Sequence, residues 1–142
     1  MRQKISEALR LQVSLRAHNA CEYCLVPEAF LATVFHIDHI RSLKHRGKTN
    51  LENLALACPH CNQNKGTDVA TFIDDESENL IRLFNPRKDV WSDNFEINYG
   101  QIIAKTIIGD ATIKILDFNQ IERIMFRQEL IVAGFYPLIS ER

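Results

Sequence analysis

The chain has 142 residues, 46% of them hydrophobic and 25% charged, the composition of an ordinary globular protein large enough to bury a core. Its formal net charge of −1 argues against binding nucleic acid through bulk positive charge. No apolar run reaches the ~18 residues needed to cross a bilayer, and the charged start MRQKISEALRLQVSLRA lacks a signal-peptide core, so the expected location is the cytoplasm, with no membrane partner.

In chain order, a first helix is expected over residues 4–17, where Ile5, Ala8, Leu9, Val13 and Leu15 or Ala17 fall near helical spacing. His18-Asn19 can end it just before CEYC. TVFHIDHI (33–40) alternates and is rich in β-branched residues, so it reads as a strand. RSLKHRGKTN (41–50) is a polar loop, and LENLALA (51–57) reads as a short second strand through Leu51, Leu54 and Leu56. From His60 a helix is expected to about Asp74, with Gly66 weakening its middle. FEINYGQIIAKT reads as a hairpin turning near Asn98-Tyr99-Gly100, whereas IIGDATIKILDF fits helix or strand. Asn119 with Glu122 three residues on resembles a capping box. It would open the helix QIERIMFRQELIVA, with Ile121, Ile124, Met125 and Ile131 or Val132 on the apolar face and Gly134 at its end.

Charge divides the chain unevenly. Residues 1–35 carry +1, residues 36–66 carry +3 and residues 67–142 carry −5. A local basic loop can meet phosphates even on a slightly acidic chain. The acidic run DDESEN (74–79) is the natural seam between a front part, 1–75, and a back part, 76–142, expected to pack as one compact unit.

All four cysteines fall in two CxxC pairs, Cys21/Cys24 and Cys58/Cys61, with 33 residues between them. In a reducing compartment such pairs bind metal or do redox chemistry more often than they form disulfides. Two knuckles complete a tetrahedral zinc site with Zn–S near ~2.3 Å. Iron–sulfur clusters also take four thiolates, but with other spacings. Cys58-Pro59-His60-Cys61 alone could be a redox dithiol, a reading that leaves Cys21 and Cys24 unexplained. A structural zinc ion is therefore the preferred expectation.

Between the knuckles lie Phe35-His36-Ile37-Asp38-His39-Ile40 and Asn53-Leu54, and Asn62 and Lys65-Gly66 follow or border the second knuckle. Together with the two CxxC pairs, this ordered set resembles the HNH endonuclease family over roughly residues 18–70. The resemblance implies an α+β fold with a ββα-metal core fastened by the four-cysteine zinc site, preceded by a helix and followed by a mixed hairpin and helix extension. It implies His39 as general base, Asp38 and Asn62 as ligands of a catalytic Mg²⁺ or Mn²⁺, and Asn53 as the residue that holds the loop and helps orient the histidine. Hydrolysis of a phosphodiester needs an activated water and a cation near the scissile phosphate, and these residue types suit that chemistry. His36 shares a strand face with Asp38, and reads either as an extra ligand or phosphate contact or as a partly buried strand histidine. The family's Pro and Gly-Gly loop is replaced here by RSLKHRGKTN.

The implied substrate is DNA, with Arg41, Lys44, Arg46, Lys48 and Lys65 as phosphate contacts. The aromatics Phe84, Trp91 and Phe95 of the extension are expected in the core rather than against bases. His18 and His45 are expected at the surface, and His60 near the knuckle. The family resemblance also suggests defence or mobile-element biology as a setting. A second reading from another class is a zinc-fastened nucleic-acid-binding module without catalysis.

Overall fold

The first helix begins where a side chain can satisfy its open end. In the computed structural model, which describes residues 5–137, α1 spans Glu7–Arg16 and Ser6 Oγ accepts the Leu9 N–H at 3.1 Å. The expected start at residue 4 lies outside the described residues. His18 and Asn19 both take left-handed backbone (φ 56° and 55°), which ends the helix and turns the chain into the first cysteine pair. Val13 and Ala17 are the α1 side and end residues that bury, whereas Ala8 and Leu15 are exposed.

Strand β1, His36–His39, pairs antiparallel with β2, Leu54–Ala57, in the register His36↔Ala57 through His39↔Leu54. The expected strands were longer. Residues 33–35 stay outside β1, and Leu51–Asn53 form a 3-10 turn instead of strand. All four residues of β2 are buried, so the expected alternation fails there. The first helix and the helix that follows β2 both pack against the strand, and its free edge is closed as well: Glu22 donates its N–H to Leu56 O at 2.8 Å, and its carboxylate accepts the Leu56 N–H at 2.8 Å.

Helix α2 follows directly, Pro59–Lys65, with Cys58 as N-cap and proline at the first position. It stops at Gly66 (φ 51°) and does not run on to Asp74. The order β1, β2, α2 is the strand–strand–helix core expected from the family resemblance. Two short ladders follow: β3, Ala70–Thr71, pairs with β4, Ile81–Arg82. After the single-turn helix α3, Trp91–Asn94, strands β5, Phe95–Asn98, and β6, Gln101–Ala104, form the expected hairpin. Its turn is Tyr99-Gly100, both at positive φ (50° and 84°), as a tight two-residue hairpin requires.

The ambiguous stretch resolves as helix. α4 spans Ile107–Leu116, with Thr106 Oγ1 accepting the Gly109 N–H at 3.0 Å. The last helix, α5, is Ile121–Ala133 and ends at Gly134 as expected, but its start and its buried face differ. Gln120 is its N-cap and makes no side-chain cap bond. Asn119 instead brackets β6, accepting from Ile102 N and donating to Ile102 O at 2.9 and 2.8 Å. Of the apolar residues expected to face inward, Val132 (89% exposed), Ile121 and Met125 stand in solvent, whereas Ile124 is half-buried and Ile131 packs half-buried against the core. Arg123, Arg127 and Leu130 bury in their place. Burial of charge is tolerable only with partners, and both arginines have them: Arg127 donates to Gly100 O and Phe118 O at 2.6 and 2.7 Å.

One hydrophobic cluster contains residues from both parts of the chain, including Val13, Tyr23, Leu54, Leu56, Phe84, Phe95, Ile102, Leu116 and Phe118. Phe84, Trp91 and Phe118 pack around Phe95 with ring centroids 5.3, 4.9 and 5.7 Å away, so these aromatics are core as expected. Phe95→Ala should lower the free energy of unfolding by about 3–5 kcal/mol, from lost burial and the remaining cavity. Urea denaturation of the zinc-loaded protein measures this, and a loss below about 1 kcal/mol would contradict the central place given to this ring.

Candidate functional site

The four cysteines converge. Their sulfur atoms all lie within 4.8 Å of one another and all four residues are buried. The Cys24 and Cys58 sulfurs are 3.7 Å apart, against about 3.8 Å for the edge of a tetrahedron with ~2.3 Å metal–sulfur bonds. Each pair forms the same small turn: the Cys24 N–H meets Cys21 Sγ and the Cys61 N–H meets Cys58 Sγ, both at 3.4 Å. Leu25 takes left-handed backbone (φ 68°) to close the first turn. Burial pushes the Cys21 and Cys61 thiols well up, while hydrogen bonds from Cys21 and the other thiols pull Cys24 well down. Such a set cannot all ionise without a cation, and four thiolates are the donor set zinc prefers. The residues therefore fit a structural zinc ion. His60, exposed on α2, is not part of this group.

On the hairpin, strand alternation separates the two acid–base candidates. β1 pairs with β2 residue for residue, so Asp38 and His39 face opposite sides. Asp38 is only 5% exposed. Its carboxylate accepts from the Tyr23 hydroxyl at 2.7 Å and pairs with the Lys65 ammonium at 3.1 Å. Burial raises the Asp38 carboxyl above the usual carboxylate range, although Lys65 and Tyr23 act the other way. Burial, and then the Asp38 charge, holds the Tyr23 hydroxyl well above its ordinary value.

Lys65, expected to contact phosphate, is therefore corrected to an interior residue. It is 2% exposed and also donates to His39 O and Ile40 O, at 3.1 and 3.0 Å. Its position on the inward face of a short helix, opposite a buried carboxylate, is what draws it in. Asn62 is half-buried one turn earlier on α2, the spacing that shares a helix face.

His39 is half-buried and its Nε2 lies 2.9 Å from Thr49 Oγ1. Burial holds its pKa below the usual 6.5, with Asp38 opposing the shift. His36 is exposed at the start of β1.

Asn53 fastens the loop between the strands. Its Oδ1 accepts the Arg41 N–H at 2.9 Å, and its Nδ2 donates to Arg41 O and Lys48 O at 2.8 and 2.7 Å. The single glycine of that loop is required by the same packing. A Cβ on Gly47 would lie 1.6 Å from Arg41 O and 2.8 Å from Asn53 Nδ2. Around this staple Arg41, Lys44, Arg46 and Lys48 are exposed, as is His45. His18 is also exposed, as expected.

Three residues were not anticipated from sequence: Tyr23, Thr49 and Arg123. Tyr23 sits inside a cysteine knuckle, and Thr49 lies within the loop that Asn53 ties. No sequence signal singled out Arg123, which comes from α5 and donates to Cys61 Sγ at 3.0 Å.

Residues 21–68 match the family model described as HNH endonuclease. The chain carries an HNH domain. It is also 25% identical over 125 residues to the Septu protein PtuB of Bacillus thuringiensis, an alignment covering 87% of this chain and 46% of that protein. The chain thus spans less than half the length of this curated relative. No solved structure matches the chain.

Asn53→Ala removes three hydrogen bonds from the loop of the HNH domain and should cost about 1–3 kcal/mol of stability, with zinc content unchanged. Gly47→Ala should cost at least as much, because backbone has to move. Thermal unfolding with metal analysis measures both. Melting of both variants at the wild-type temperature would contradict the staple.

Proposed function

We propose that this chain is a metal-dependent DNA endonuclease in which His39 is the general base. The observation that carries the reading is the HNH strand–strand–helix core, with a half-buried histidine on β1 beside a stapled, basic and exposed loop.

In this reading a neutral imidazole is needed near pH 7, and burial keeps His39 in that form. Thr49 occupies Nε2, which leaves Nδ1 to receive the proton of the attacking water. Asn53 holds the loop that carries Thr49, so the orientation of the imidazole depends on it. Asp38 and Asn62 are the residues that would hold Mg²⁺ or Mn²⁺, cations that favour oxygen donors. When bound, that cation supplies charge neutralisation at the scissile phosphate and leaving oxygen. Asp38 is buried on the face of β1 opposite His39, so it can serve the same site only if the strand end distorts and the cation displaces the Lys65 ammonium. Exposed Arg41, Lys44, Arg46 and Lys48 supply phosphate contacts that position a duplex without reading its sequence. His36, exposed on the same strand, is a candidate for a further phosphate contact or ligand. A shared setting with the Septu protein PtuB is part of the proposal and is supported by the 25% identity.

Nicking of supercoiled plasmid tests the reading. Wild-type protein should nick with Mg²⁺ or Mn²⁺ and not in chelator. His39→Ala should lose at least ~100-fold in rate, the scale of a lost general base, with zinc retained. The wild-type rate should rise with pH to a plateau, with its midpoint below pH ~6.5, the ordinary histidine pKa, because a lowered pKa frees the base at lower pH. Unchanged nicking by His39→Ala would reject this role. A zinc-loaded wild type that binds DNA but cleaves none of a panel of duplex, nicked and single-stranded substrates would favour the non-catalytic binding module.

A further inference from the structure

The back part of the chain reaches the cysteine centre through one buried cation. Arg123 sits in the first turn of α5 and is 7% exposed. Its Nη2 is 3.0 Å from Cys61 Sγ and 4.0 Å from Cys58 Sγ. Its Nη1 donates to Leu116 O at 2.6 Å and Asp117 O at 2.9 Å, the last carbonyls of α4. One guanidinium thus closes the C-terminal end of α4, anchors α5 and faces the second knuckle. The first knuckle is held from the same side: the Tyr136 hydroxyl donates to Cys24 O at 2.8 Å. Nearby, the Trp91 indole donates to Tyr23 O at 2.8 Å.

A divalent cation bound by four thiolates leaves the centre with net negative charge inside the protein. Buried charge of that kind is costly unless a fixed opposite charge faces it. Arginine suits the position because its planar fork bonds two carbonyls with one nitrogen and sulfur with the other. A lysine has the charge but cannot span all three acceptors.

We infer that Arg123 is a structural part of the zinc centre, its charge partner, so that the extension after residue 76 retains the metal and does more than cover the core. The hydrogen bond to Cys61 withdraws charge from that sulfur and slows its release of zinc. Metal binding and docking of α5 are then coupled, each stabilising the other. The inference rests on the metal reading of the cysteines and is independent of nuclease activity.

The test is the rate at which zinc passes from the full chain to a chromophoric chelator, for wild type, Arg123→Lys, Arg123→Met and Tyr136→Phe. Helical circular dichroism is recorded on each zinc-loaded protein. Arg123→Met should release zinc at least ~10-fold faster, the lower end for loss of a partner to metal ligands. Arg123→Lys should fall between it and wild type, and Tyr136→Phe should be milder than Arg123→Met. Zinc release from folded Arg123→Met at the wild-type rate would overturn the inference. If Arg123→Met does not fold, Arg123→Gln, which keeps a hydrogen-bond donor without the charge, takes its place, and a wild-type rate there would overturn the inference equally. A wild type that holds no zinc would overturn the inference together with the metal reading.

Discussion

Four buried sulfurs within 4.8 Å of one another are the constraint on which the rest of the structure depends. Burial pushes the Cys21 and Cys61 thiols up while the neighbouring thiols pull Cys24 down, so the four sulfurs are not equivalent as bare thiols. With a cation, two turns 33 residues apart in sequence become one crosslink. The first turn delivers Glu22 to the free edge of β2, and the second caps α2 with Cys58. The hairpin that carries His39 is therefore held on one edge and at one end by groups positioned by the same centre.

The interior of the HNH core is built around a second charge balance. Tyr23, Asp38 and Lys65 form a buried set in which a carboxylate is satisfied by a hydroxyl and an ammonium. Removing one member would strand the others without water, the costly direction for buried ions. Lys65 also gathers the carbonyls of His39 and Ile40, at the strand end where the chain leaves β1 for the loop. The side chains on the two faces of β1 thus have different tasks. Asp38 faces the interior ion pair, and His39 faces Thr49 and the basic loop.

Much of this was legible because several spaced elements agree in order. The CxxC pairs, HIDHI, Asn53 and Asn62 placed the hairpin, the helix start and the cysteine centre, and periodicity placed α1 and the β5–β6 hairpin. What sequence could not show is which face of an element the rest of the protein covers. α5 is the clearest case: the expected inward face is Ile121, Ile124, Met125 and Ile131 or Val132, yet Ile121, Met125 and Val132 are exposed and Ile124 and Ile131 only half-buried. The buried face holds two arginines whose partners are carbonyls and a thiol from other elements of the fold. Lys65 misled for the same reason, since a lysine after a metal knuckle reads as a surface charge until its carboxylate partner is located. Local signals also failed at ends, where Gly66 stops α2 outright and Asn119 serves β6 rather than capping α5.

The central claim is that one metal centre holds both the HNH hairpin and the back of the chain. Hydrogen exchange followed by mass spectrometry, on protein with zinc and after its removal by chelator, tests it directly. The account predicts that removing zinc lowers protection together in Leu54–Ala57 and in Ile121–Ala133, and that restoring zinc recovers both. Full protection of α5 in zinc-free protein, with exchange confined to the knuckles, would contradict it.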